Sequence, residues 1–183
     1  MKISLIEIAG FKAAMRSMRF PHRSNDKSDS WFTLTESDTS DLFVYDSDDY
    51  FDYFIGPKDM ELSQKLIRAG DTHAKHMRGI IAWIEITAPD YWWDEMCTYE
   101  VGVTKLPSTS SMHCEFKDYS GEELQKLRSE QLRGFEYTRI YAISYQTLRH
   151  IHDHRRKHKL PEWKQFCDFI ETLPLAKELI TIV

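Results

Sequence analysis

The sequence predicts an α/β (α+β) fold in one domain, and three observations carry that prediction. A β-branched, alternating run at residues 3–9 passes through Gly10 into helical spacing at Phe11, Ala14, Met15 and Met18. A continuous apolar run at residues 80–87 reads as a buried strand. Helical periodicity then fills most of the last third. With 183 residues, 42% of them hydrophobic and 13% aromatic, the chain can bury a real core.

Arg16 and Arg19 lie on the first helix, which Pro21 should break. With His22 and Arg23 they form either a phosphate-contacting corner or a solvated face. Residues 26–54 hold nine acidic side chains against Lys27, with aromatics interleaved. Residues 31–35 and 42–46 suggest a hairpin with a long loop, its aromatics packed on the core. Asp46, Asp48 and Asp49 lack the glycine and distal glutamate of a calcium loop. The acidic segment also allows a charged decoy for a DNA-binding partner.

Pro57 suits a first helical position, Leu62, Leu66 and Ala69 continue the helix, and Gly70 stops it. His73 and His76 have no third ligand nearby, so a polar or capping role is expected before a metal site. Pro89 begins a further helix bearing Tyr91, Trp92 and Trp93. Three adjacent aromatics exceed what one buried face holds, so one or two are expected to meet a partner subunit or a ligand base. Residues 98–104 alternate toward strand, and residues 106–113, with Ser108 and Ser110, form a hydroxyl-rich loop suited to phosphate or to ordinary turns. Ser120 and Glu123 make a capping box ahead of Leu124 and Leu127. Residues 137–143 are a strand or a connection. Trp163, Phe166, Cys167 and Ile170 define the last amphipathic helix, and residues 179–183 a final strand or an intersubunit contact.

The most basic stretch is residues 144–163, carrying Arg149, Arg155, Arg156, Lys157 and Lys159 with four histidines in a chain of net charge -5. At ~100° per residue, Tyr141, Tyr145, Leu148, His152 and Arg155 share one stripe. Arg155 therefore continues the apolar face, either anchored by a buried carboxylate or aimed into a cleft to bind an anion. His150 and His154 lie on the opposite side. An anion or nucleotide site, a surface cationic helix and a metal site all remain open for this stretch.

Several classes are excluded. The negative charge opposes general nucleic-acid binding. No Walker or Rossmann glycine pattern, nucleophile elbow or catalytic cysteine signature occurs. Cys97, Cys114 and Cys167 are widely spaced and expected to be free thiols. No stretch is long and apolar enough for a signal peptide or a membrane span, so a cytoplasmic protein is expected.

Taken in order, the segments resemble the flavin-dependent thymidylate synthases (the ThyX family), and more closely divergent phage proteins similar to them. The resemblance rests on Ile3-Ser-Leu-Ile-Glu-Ile, the helix with Ala13, Ala14 and Arg16, and Leu66-Ile67-Arg68-Ala69-Gly70 with His73 and His76. It continues through the strand at residues 80–86 and Leu148-Arg149-His150 with Arg155 or Arg156 and Trp163. It implies a ThyX-like mixed sheet with flanking helices over residues 1–183, with an acidic aromatic insertion at about 24–56. It also implies a homo-oligomer, tetramer or dimer, with Tyr91, Trp92 and Trp93 at an interface.

The family signature is an Arg-His-Arg triplet followed by serines, whereas this chain has Thr98-Tyr99-Glu100, then Val103, and retains only Ser108. Glu100 places negative charge where the family holds an anion. The resemblance thus implies a nucleotide-binding protein that has lost flavin chemistry. Its nucleotide-derived ligand would be held by Arg149, His150, His152, Arg155 and Arg156, assisted by Ser108, Ser110, Arg16 and Arg19, with Tyr91, Trp92 or Trp93 on a base. No cofactor and no metal are expected, and in a phage setting the role would be sequestering a host defence nucleotide in the host cytoplasm. The enzyme alternative, a flavin-dependent deoxynucleotide methyltransferase, would bring FAD.

Overall fold

The computed structural model describes residues 1–34 and 51–182. The first strand, β1 (Lys2–Ala9), is followed by α1 (Phe11–Ser17), then short 3-10 turns at Phe20–His22 and Asn25–Lys27. Strands β2 (Trp31–Leu34) and β3 (Phe51–Phe54) pair with each other antiparallel. The expected second hairpin strand at 42–46 and the aspartates at 46, 48 and 49 lie outside the described residues.

Helix α2 (Pro57–Arg68) leads through a 3-10 turn at Lys75–Gly79 into β4 (Ile81–Pro89) and α3 (Asp90–Met96). Then come β5 (Val103–Ser108), α4 (Gly121–Glu130), β6 (Glu136–Ser144), α5 (Tyr145–Arg155), α6 (Pro161–Ile170) and α7 (Ala176–Leu179).

The α+β class holds. The main sheet runs β1-β4-β6-β5, and all three pairings are antiparallel, so the sheet is uniform where a mixed one was expected. Alternation explains its one-sided burial: Ala82, Ile84, Ile86 and Ala88 on β4 are fully buried, while Trp83, Glu85 and Thr87 between them are less so. Across β6, Tyr141 and Ile143 pair with Ile84 and Ala82 on the same buried face. Helix α5 lays Tyr145, Leu148 and Ile151 on the core, and α6 adds Trp163, Phe166 and Ile170.

Local chemistry sets the joints. Ser144 caps α5 by accepting from the Thr147 amide. Gly10 takes φ 99°, and a Cβ there would lie 1.9 Å from the Gly79 carbonyl oxygen, so only glycine permits this approach. At Ser120 the helix starts as expected, but its side chain makes no capping hydrogen bond.

The tail departs from expectation. Residues 176–179 are a short helix, with Leu179 and Ile180 buried in the core, and no strand forms over residues 179–182. Apolar residues at a chain end satisfy burial as well by packing on helices as by pairing with a sheet edge.

Candidate functional site

On β6, Tyr137, Arg139, Tyr141 and Ile143 alternate onto the face that packs against the helices. An arginine there needs compensation, because a half-buried guanidinium loses hydration. Arg139 finds it on aromatic rings: its guanidinium carbon lies 4.5 Å from the Trp93 ring centroid and 5.6 Å from that of Tyr137. Its Nε is buried without a hydrogen-bond partner. Among the described residues no carboxylate forms an ion pair with Arg139.

Ser108 stands directly opposite Arg139 in the β5–β6 register, after an irregularity between Lys105 and Ser108. The hydroxyl-rich loop beyond it is fixed to β6. The Thr109 amide donates to the Thr138 carbonyl at 3.0 Å, and the Thr138 amide donates to Thr109 Oγ1 at 3.0 Å. Ser110 meets His113 at 3.1 Å.

A second arginine flanks Tyr137. Arg128 donates to Ser111 Oγ at 2.8 Å and to Gln131, again without an ionic partner among the described residues. Burial raises the Tyr137 phenol, but hydrogen bonding from Ser111, Arg128 and Gln131 outweighs it, holding the group below the usual tyrosine range. Burial raises the Tyr141 phenol, and hydrogen bonding from Arg139 acts against it. Two arginines without acidic partners among the described residues, a row of hydroxyls and an aromatic platform make a place for an anion attached to a ring.

Other expected residues take different positions. Trp92 and Trp93 are 0% and 1% exposed, which corrects their expected role as ligand-stacking or interface side chains. Trp92 packs on Trp163 with centroids 4.8 Å apart, and Trp93 donates to the Ala88 and Tyr137 carbonyls. The core accepts both indoles because they meet edge-on, at 77°. Tyr91 donates to Glu162 at 2.5 Å, and that carboxylate raises its phenol.

The basic helix meets its carboxylates within the chain. Arg155 pairs with Glu95 at 2.6 Å, which is anchoring by a carboxylate, though by one that is half-buried where a buried one was expected. Arg156 meets Asp168 and lies 3.2 Å from Glu171. His152 lies 2.9 Å from Glu171, His150 2.8 Å from Asp71, and Arg149 3.7 Å from Asp153. Each of these five side chains thus meets a carboxylate of its own chain, and none of them bonds to Ser108 or Ser110.

Arg16 is exposed beside a depression of about 260 Å³ that includes Tyr53. Arg19 is 6% exposed and bonded at 2.5 Å to Asp59, which also accepts from Ser28 and Ser30. Among the described residues no group of three or more His, Cys, Asp or Glu could hold a metal, and no helix is long and apolar enough to cross a membrane.

Sequence reasoning missed Arg139 and Arg128. Arg139 was visible only as a member of the alternating set Tyr137, Arg139, Tyr141, Ile143, once residues 136–144 are read as one strand.

No protein-family model matches the chain, and no curated protein matches it. Two solved structures of the flavin-dependent thymidylate synthase ThyX from Helicobacter pylori, both with FAD and dUMP, are similar in fold. Each superposes with a TM-score of 0.67, at 14% and 13% identity, covering 98% of this chain and 98% and 97% of theirs.

Proposed function

We propose that the chain binds a nucleoside monophosphate at the β5–β6 end of the sheet, without flavin chemistry. The observation that carries this reading is Arg139, a half-buried guanidinium with no acidic partner among the described residues, set on Trp93 and opposite Ser108. Arg139 and Ser108 hold the phosphate, Arg128 closes the rim, and the exposed edge of Tyr137 receives the base. The H. pylori proteins of similar fold carry dUMP, which makes dUMP the first ligand to try.

Flavin fits the chain poorly. Where the family resemblance puts an arginine-bearing triplet, Tyr99 accepts from Arg155 at 2.9 Å and Glu100 is an exposed carboxylate. An anionic flavin phosphate would meet negative charge there. Binding without turnover suits sequestration of a nucleotide, the role the phage resemblance suggests.

Self-association fits the same reading. The sheet face away from the helices carries Trp83 beside Ile81, Thr104 and Ala142 around a shallow hollow of about 370 Å³, a surface that a second copy would cover. Light scattering showing a strict monomer would remove this part.

Isothermal titration with dUMP, dTMP and AMP tests the central claim. At least one should bind, and Arg139→Ala should weaken it by about 30-fold or more, the lower end for removing one partner of a buried charged contact. No binding at millimolar ligand, or equal affinity in Arg139→Ala, overturns it. Recovery of the bound nucleotide unchanged supports binding without turnover; a converted product counts against it.

A further inference from the structure

Tyr137 has one arginine over its ring and another at its hydroxyl. The guanidinium carbon of Arg139 lies 5.6 Å from the ring centroid, and its Nε is buried with no partner. Arg128, exposed in the last turn of α4, bonds at the hydroxyl end together with Ser111 and Gln131. Its bonds to Ser111 Oγ and Gln131 Oε1 both leave from Nη1. Both acceptors are neutral, so neither cancels its charge, and among the described residues no carboxylate forms an ion pair with it.

A hollow of about 280 Å³ opens on the Arg128 side, with Arg128, Ser129, Gln131 and Tyr137 in its wall. Arg133 also lines it, but its charge is taken up by Asp94 and by Asp90, the one acidic residue of the wall. Tyr137 belongs both to this wall and to the platform under Arg139, so the two spaces adjoin. The hollow is smaller than the roughly 300–1,000 Å³ typical of small-molecule sites, which suits one end of a ligand whose other end lies elsewhere.

We infer that the ligand of the Arg139 site carries a second, separate phosphate, and that its class is a nucleoside 3′,5′-bisphosphate. The inference deepens the mononucleotide reading and rests on that reading's placement of the site. One phosphate lies on Arg139 and Ser108, the other on Arg128 in the hollow, with the nucleoside against the exposed edge of Tyr137 between them. The two phosphates of a 5′-diphosphate share an oxygen and stay together at one arginine. Those of a 3′,5′-bisphosphate stand apart across the ribose, as the two guanidiniums stand apart across Tyr137. A long nucleic acid would offer the same spacing, but the net charge of -5 opposes it.

Isothermal titration of the full chain with matched ligands tests this. The pairs are deoxyuridine 3′,5′-bisphosphate with dUMP and adenosine 3′,5′-bisphosphate with AMP. The controls are dUDP and ADP, which carry the extra phosphate at the same end. In at least one pair the bisphosphate should bind about tenfold or more tightly than its monophosphate, the worth of one charge-assisted contact, and the diphosphate should fall short of it. Arg128→Ala should weaken the bisphosphate by a larger factor than the monophosphate. Arg139→Ala should weaken both.

Bisphosphates no tighter than their monophosphates overturn the inference and leave the mononucleotide reading standing. So do diphosphates that match the bisphosphates, or an Arg128→Ala variant that weakens both ligands by the same factor. Bisphosphate binding with silent monophosphates overturns the mononucleotide reading alone. Bisphosphate binding that Arg139→Ala leaves untouched overturns both, as does the absence of heat with every one of these ligands at millimolar concentration.

Discussion

Arg155 Nη1 lies 2.6 Å from Glu95 Oε2, and that one oxygen also accepts from Trp163 Nε1 at 2.9 Å. The same guanidinium donates to the Tyr99 hydroxyl and stacks 4.6 Å from the Trp163 ring centroid. The last turn of α5 is thereby joined to the end of α3 and the start of α6. The arginine that continues the apolar stripe of the basic helix is a structural joint.

Replacing Glu95 should therefore affect stability. Glu95→Ala leaves a largely covered guanidinium without its anion and an indole N–H without its acceptor. The expected loss is about 1–3 kcal/mol, below the cost of breaking a fully buried pair because Glu95 is 33% exposed. Urea denaturation should show a lower midpoint at unchanged slope. An unchanged midpoint would mean water replaces the carboxylate freely.

The stripe containing Arg155 was legible because a helix has one dominant period, and Tyr145, Leu148 and Ile151 are buried as that period requires. What the stripe could not reveal was its partner. Glu95 is 60 residues away, and nothing local marks a carboxylate that will cross that distance. Trp92 and Trp93 were misread for a related reason: whether a core holds adjacent indoles depends on rings from α6, which is remote in sequence. Arg139 was hidden by phase. A one-residue uncertainty in the strand at 136–144 moves every side chain to the other face.

The Arg19–Asp59 pair should be far more sensitive than the Glu95 joint. Asp59 is 0% exposed and Arg19 6%, and Asp59 also accepts from Ser28 and Ser30. Burial raises the Asp59 carboxyl, but those hydroxyls and Arg19 outweigh it and hold the group below its ordinary range. Arg19→Ala should cost about 3–5 kcal/mol, because it leaves an uncompensated buried charge. Chemical denaturation measures it directly. A loss under about 1 kcal/mol would show that the serines alone satisfy Asp59.

His76 gives the stability a specific pH dependence. Burial lowers its imidazole from 6.5 to about 4. Between those values the unfolded chain binds a proton that the folded protein refuses, so stability falls as pH falls through that window. The contribution is fully present above pH 6.5 and is lost by about pH 4, with a total of about 3 kcal/mol. Stability measured from pH 7 to 4 should lose this part of its slope in His76→Asn. Parallel curves for the two proteins would show that His76 charges readily in the fold.

Gly10 and Gly70 together separate backbone strain from steric exclusion. Both hold positive φ, at 99° and 103°, but a Cβ at Gly70 meets nothing within 4 Å, whereas one at Gly10 would lie 1.9 Å from the Gly79 oxygen. Gly70→Ala should cost only the left-handed conformation, about 1–2 kcal/mol, or a melting shift of a few degrees for a chain of this size. Gly10→Ala must also push back the turn that enters β4. The next residue after Gly79, Ile80, accepts from the Tyr145 amide at the start of α5 at 2.9 Å, so the displacement reaches the core helix. A loss beyond about 4 kcal/mol is expected, in the range that single substitutions reach only by such clashes. Equal melting shifts in the two variants would mean that the contact between Gly10 and Gly79 gives way without cost, and that φ alone requires glycine at both positions.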